Sequence, residues 1–297
     1  MNGQSRAGLG AGIFAYFVWG LIPILFKALS NIAAGDVLAW RVLWSLVMCL
    51  VLVVGTGRLR GVAAVLKDWR TMGLLTVSAA VIAGNWLVYI HAVTHDHVLD
   101  ASLGYFINPL ISVLFGVTLL RERLDRAGWA AVALALAGVA VLAAERGALP
   151  WISLVLAVSF AVYGLIRKQV PVQPMIGLFV ETAVLTPPAL LWLIGWGGDD
   201  FGNDHRTDLL LLLSGPATAV PLMMFAFAAR RLKLATLGLL QYIAPTLVFL
   251  LGAFAYHEPL DTPQVIAFAA IWSGVVIYAV DSARQRRTRL ARTADNR

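Results

Sequence analysis

Long unbroken apolar runs dominate the chain. Ten segments qualify: 8–29, 37–55, 71–91, 99–120, 128–144, 150–166, 174–195, 209–229, 235–256 and 264–280. A helix crossing a bilayer needs roughly 17–25 mainly apolar residues, whereas the strands of a membrane barrel alternate over about ten. The runs do not alternate, so the pattern predicts an all-α integral membrane protein of ten transmembrane helices. The first run has Arg6 before it and small residues near its end, which resembles a signal peptide. Its apolar core exceeds the roughly 7–15 residues of such a segment, and Lys27 interrupts the would-be cleavage region. It is therefore read as the first span.

Composition agrees with this reading. Hydrophobic side chains make up 60% of the 297 residues and charged ones 13%, against about 25% charged in soluble domains. A soluble enzyme, a disordered tail and a collagen-like rod are excluded. One cysteine, Cys49, leaves neither a disulfide framework nor a multi-cysteine metal site. The placement of the charges is more informative than their number. Only Lys27, Arg41, Asp100 and Glu181 fall inside the ten runs. Of the Lys and Arg residues, 19 lie in the connections of one face and two, Arg146 and Arg206, in those of the other. Basic loops stay cytoplasmic, so both termini are expected there. The net charge of +7 then reads as a retention and lipid-contact feature, with no nucleic-acid partner.

The chain also repeats. Sliding residues 103–139 forward by 136 matches 12 of 37 positions without a gap, among them Pro109/Pro245, Gly116/Gly252, Glu122/Glu258, Asp125/Asp261 and Gly138/Gly274. A weaker echo links Val18–Ile22 to Val162–Ile166. The expected units are 8–144, 150–281 and a basic tail, 282–297. Five helices per unit is an odd number, so the second copy crosses the membrane in the opposite sense. Such inverted repeats serve alternating access in many secondary transporters, with the site near the midplane.

Polar groups inside the spans are the candidates for function, because charge in a bilayer is costly and turns toward the bundle interior or water. Arg41 lies roughly 7 Å inside the outer end of its span, and Glu181 roughly 10 Å inside the cytoplasmic end of its own. A direct pair between them is not expected, since their depths differ by on the order of 13 Å. Lys27 lies close enough to the outer end to snorkel. Glu181 is a candidate for a proton-titrating group, because burial disfavours a carboxylate's charged form; structural pairing is the other reading. Asn85, Trp86, Tyr89, Tyr105, Asn108, Tyr163, Gln241 and Tyr242 complete the candidate translocation residues, as cavity lining or as helix–helix hydrogen bonds. Pro109 and Pro245, equivalent in the two halves, are candidate hinges. His91, His95 and His97 have no metal-site frame, so no metal is expected. No phosphate-binding loop and no nucleophile elbow occurs, so no cofactor and no enzymatic activity are expected.

These residues together resemble the RarD-type branch of the EamA family, in the drug/metabolite transporter superfamily. The resemblance spans nearly all of residues 8–282. It rests on Trp19–Pro23 with Lys27, Arg41–Ser45, Asn85–Leu87, the stretch LDASLGYFINP from Leu99 to Pro109, Arg121–Arg123, Tyr163–Leu165, Glu181–Thr182 and Gln241–Thr246. It implies ten helices in two repeats and a secondary permease of the inner membrane. Three sites depart from the family pattern: Trp40 stands where a histidine is usual, His91 where a tryptophan is, and Thr94-His95 where an Asn-Asn pair is. The expected function is export of a small metabolite or drug-like solute, with Lys27 and Arg41 favouring an anionic or zwitterionic group. An integral-membrane enzyme acting on lipid-linked substrates and a non-transporting scaffold are the alternatives. The expected partners are a small-molecule solute and the lipid bilayer, with a homodimer left open.

Overall fold

The structure, a computed structural model, describes residues 3–94, 98–146, 151–197, 201–251, 254 and 262–295. Within them the chain is all-helical: α1 (Gly3–Ala28), α2 (Ala34–Gly55), α3 (Leu59–Lys67), α4 (Trp69–Thr94), α5 (Val98–Thr118), α6 (Arg126–Arg146), α7 (Trp151–Gln169), α8 (Pro174–Gly195), α9 (His205–Ala229), α10 (Leu234–Gln241), α11 (Ile243–Leu250) and α12 (Thr262–Asp295). Six of these, α1, α2, α4, α7, α8 and α9, are long and apolar enough to cross a membrane. Shorter apolar stretches lie in α5, α6, α10–α11 and α12. The outer surface is apolar too, with Ile194, Leu191, Leu136, Leu87 and Val276 all exposed. Exposed apolar side chains in such number suit hydrocarbon and not water.

Several helix boundaries have local causes. Asp204 caps α9 through a carboxylate that accepts the Thr207 N–H at 3.0 Å. Asp125 precedes α6 and accepts the Gly128 N–H at 2.8 Å. Pro174 opens α8, where a missing N–H costs nothing. The run 235–256 does not form one helix. Pro245 has no N–H to give the Gln241 carbonyl four residues earlier, and the helix stops at Gln241, turns at Tyr242 and restarts at Ile243. Pro109, its equivalent, sits inside the unbroken α5. The segment 56–70, read from sequence as a loop, contains α3. Its Val62 and Val65 pack with Val53, Leu75, Val172 and Ile176, while the polar side stays outside.

The helices pack in a definite set of pairs: α6 with α12, α5 with α7 and α10, α4 with α7 and α8, α2 with α8 and α9, and α1 with α9 and α11. Small residues permit the closest approaches. A methyl built on Gly138 would lie 2.9 Å from the Ala267 carbonyl oxygen, and one on Gly274 would lie 2.9 Å from that of Ala131. At Gly238 the neighbour is the Pro109 carbonyl, 2.8 Å away. Backbones this close leave no room for a side chain. The central core joins α1, α7 and α9 through the rings of Tyr16, Trp19, Phe160, Tyr163 and Phe225.

Candidate functional site

Arg41 lies in the second turn of α2 and is only 9% exposed. Its position against α9 follows from a glycine. A methyl on Gly215 would sit 2.8 Å from the Ser45 backbone nitrogen, so the two helices touch there. Ser45 donates to the Gly215 carbonyl at 3.1 Å. One turn toward the other end of each helix, Arg41 Nε donates to Thr218 Oγ1 at 2.8 Å. The Thr218 hydroxyl in turn donates to the Ser214 carbonyl. The guanidinium carbon lies 4.5 Å from the Trp86 ring centre and 5.2 Å from that of Phe26. Tyr89 follows Trp86 on the same face of α4 and meets the Tyr105 ring edge-on at 5.8 Å. Tyr105 remains 38% exposed, so this box is open on the α5 side.

The electrostatics of the box do not balance. Two cation–π contacts contribute about 0.5–2 kcal/mol each. Removing an ion from water costs several kcal/mol after relaxation. No carboxylate among the described residues lies within ion-pairing distance of Arg41. Lys27, the sequence's suggested companion, ends α1 with its side chain exposed.

Glu181 occupies a separate site. It is buried on α8, and its Oε1 accepts from Ser78 Oγ at 2.5 Å and from Arg167 Nη1 at 3.4 Å. Arg167 also donates to the Pro174 carbonyl. Sequence reasoning assigned Arg167 to a cytoplasmic connection. The structure extends α7 to Gln169 and buries Arg167 at 3% exposure. The available signal was Glu181 itself, a lone carboxylate in a span with an arginine at the end of the preceding one. Gly177 makes the pair feasible, because any β-carbon there would collide with the guanidinium. Glu181 Oε2 and Arg167 Nε have no hydrogen-bond partner.

The remaining candidates are brought to neither centre, or serve packing. Asn85 donates to the Leu156 carbonyl and to Ser159 Oγ, tying α4 to α7. Asn108 donates to the Ala157 carbonyl at 2.9 Å and accepts from Ser112. Tyr163 is stacked on Phe225 at 5.8 Å in the aromatic core. The Tyr242 hydroxyl donates to the Phe106 carbonyl across the α5–α10 contact. Gln241 is buried beside it at the helix break, and Pro109 and Pro245 flank that same contact. His95 and His97 lie outside the described residues, as do the side chains of His91 and Asp100 and those of the basic tail beyond residue 281.

The basic face holds a network that sequence counting treated only as charge. Glu122 accepts the backbone N–H groups of Leu234 and Ala235 at 2.8 and 3.1 Å, capping α10. Lys168 lies 3.5 Å from Glu122 and donates to the Ala229 and Leu232 carbonyls at the end of α9. Lys233 donates to the Arg123 carbonyl and Arg230 to that of Val172. Three connections, α5–α6, α7–α8 and α9–α10, are thereby fastened together.

A model of the EamA-like transporter family matches residues 6–144. An uncharacterized transporter of Vibrio cholerae serotype O1 is 44% identical over 282 residues, covering 94% of this chain and 93% of that one. Protein RarD of Streptomyces exfoliatus is 44% identical over 295 residues, covering 97% and 93%. A solved crystal structure superposes with a TM-score of 0.70 at 21% identity, covering 95% of this chain and 99% of that one, which is a likeness of fold.

Proposed function

The chain belongs to the EamA-like transporter family, as a RarD-type multi-pass membrane protein, and from that footing we propose that it is a secondary-active permease of the inner membrane. It exports a small metabolite or drug-like solute by alternating access. The observation that carries this reading is the Arg41 box. A buried cation with no counter-charge among the described residues, ringed by aromatic faces and open on one side, stands where α1, α2, α4 and α5 of the first half meet α9 of the second.

Pairing between the halves supports ten spans in two inverted repeats. Assign α1, α2, α4, α5 and α6 to the first unit, and α7, α8, α9, α10–α11 and α12 to the second. Exchanging the units then turns the α5–α7 contact into the α1–α11 one, α1–α9 into α4–α7, and α2–α9 into α4–α8, while α6–α12, α2–α8 and α5–α10 map onto themselves. Residues 136 apart follow suit. Gly138 meets Ala267 as Gly274 meets Ala131, and Tyr242 bonds its own equivalent, Phe106.

The excess of basic residues supports a cytoplasmic position for the network around Glu122 and Lys168 and for both termini. That network is the inner gate. Export requires it to open so that solute reaches Arg41 from the cytoplasm, and to close while the outer side opens. Glu181, away from Arg41, acts as a coupling or positioning group through Arg167.

Inside-out membrane vesicles test the function whatever the solute is. Vesicles carrying the chain, energised with a proton gradient, are compared by untargeted mass spectrometry with vesicles lacking it. The expected result is at least one small solute accumulated only with the chain and lost on adding an uncoupler. Identical solute profiles overturn the reading.

A further inference from the structure

We infer that the solute held at Arg41 is a monocarboxylate with an apolar, planar-faced body, bound through its carboxylate alone. The inference rests on the permease reading for its setting and on three observations for its chemistry.

The first is the unspent donor capacity of Arg41. A guanidinium has five N–H groups in a planar fork that matches a carboxylate edge to edge. Thr218 takes Nε, and its hydroxyl is itself locked by the Ser214 carbonyl. That bond fixes the plane of the fork. No described group is hydrogen-bonded to the two terminal nitrogens, although the residue is nine-tenths buried.

The second is the nature of the walls. Trp86 and Phe26 present ring faces to the guanidinium, and Tyr89 and Tyr105 continue the aromatic surface away from it. A solute carboxylate on the fork therefore places its remaining atoms along aromatic rings. An apolar body is favoured there, and a second charge would lose its hydration without compensation.

The third is the absence, among the described residues, of any carboxylate within ion-pairing distance of Arg41. An amino-acid zwitterion would bring its ammonium next to the guanidinium with no acidic group to receive it. The box therefore selects a simple acid over an amino acid and over an amine, because an unpaired charge left in such a site is penalised on both partners.

Calorimetry on the purified full chain in lipid nanodiscs tests this with four probes of one shape: 3-phenylpropionate, its primary amide, phenylalanine and phenethylamine. The acid is expected to bind, the amide about tenfold more weakly or worse, and the two ammonium compounds more weakly than the amide. Arg41→Gln brings the acid down to the level of the amide. Its unliganded melting temperature is expected to stay level or rise, because a buried uncompensated charge has been removed. Thr218→Val is the second variant; it frees the guanidinium plane, weakens the acid and leaves the amide unchanged. Equal binding of acid and amide, undiminished acid binding in Arg41→Gln, no acid binding at all, or a fall in the Arg41→Gln melting temperature overturns the inference. Proteoliposome counterflow of labelled 3-phenylpropionate separates the two readings. Acid binding without flux overturns the permease and leaves the site. Gradient-driven accumulation of a solute in vesicles, with no acid preference at Arg41, overturns the site and leaves the permease.

Discussion

Glu181 and Arg167 show how a single charge constrains its surroundings. Each is the opposite charge within ion-pairing distance of the other, and removing one partner of a buried pair costs about 3–5 kcal/mol. Arg167→Met and Glu181→Leu should each lower the melting temperature in detergent markedly, while the double substitution should recover most of the loss. Equal and additive losses would show that the pair does not act as one. If Glu181 also couples transport, Glu181→Gln should remove the response of solute flux to an imposed pH gradient. At the start of α9, Asp204 is governed by its hydrogen bonds to Thr207. The Thr207 N–H and hydroxyl hold its carboxyl below the usual carboxylate range. A lowered folded value means the cap stabilises α9 at all pH values above the unfolded value, about 3.9, and weakens as pH falls through the lower folded one. Asp204→Asn keeps a capping oxygen without titrating. It should flatten the fall in melting temperature below about pH 4 relative to the native chain. The charged residues inside the runs were legible from sequence because hydropathy isolates them. Their partners were not, since Arg167 and Thr218 lie on other helices and pairing across 14 and 177 positions leaves no local pattern.

At the scale of elements, the repeated acidic residues acquire a physical reason. Asp125 starts α6, and Glu122 reaches out of the α5–α6 connection to start α10. Gly116 leaves room for that carboxylate, since a methyl there would lie 2.7 Å from Glu122 Oε2. Glu122→Ala should cost about 1 kcal/mol through the lost cap. It should also raise amide hydrogen exchange at Leu234–Leu237 more than elsewhere. Unchanged exchange there would deny Glu122 the capping role. The glycine pair offers a parallel case: Gly138→Ala and Gly274→Ala should destabilise by similar amounts, because each meets a carbonyl at the same 2.9 Å. Long helices were readable from the apolar runs with ends displaced by a few residues. Two elements were not. The amphipathic α3 is too short for hydropathy to separate from a loop. The α10–α11 break is not legible from Pro245 alone, since Pro109 at the equivalent place leaves a helix intact.

Over the whole molecule, the chain belongs to a transporter family, and the proposed alternating access requires two related arrangements, which the exchange of helix contacts between the halves supports. A scaffold has one stable arrangement; an alternating-access permease has two, in which opening at one face accompanies closure at the other. In the proposed permease Lys168 is the pivot of the closure at the basic face, joining Glu122 to the end of α9. Lys168→Met should therefore shift the population toward the inward-open arrangement without any ligand. Spin labels report this directly by electron–electron distance measurement in liposomes. One pair goes on the basic face at Arg123 and Gln169, the other on the opposite face at Ser30 and Trp151. Lys168→Met is expected to lengthen the distance at the basic face and shorten the one at the opposite face in the same sample. A change at the basic face with the opposite distance fixed, or no change in either, would contradict alternating access.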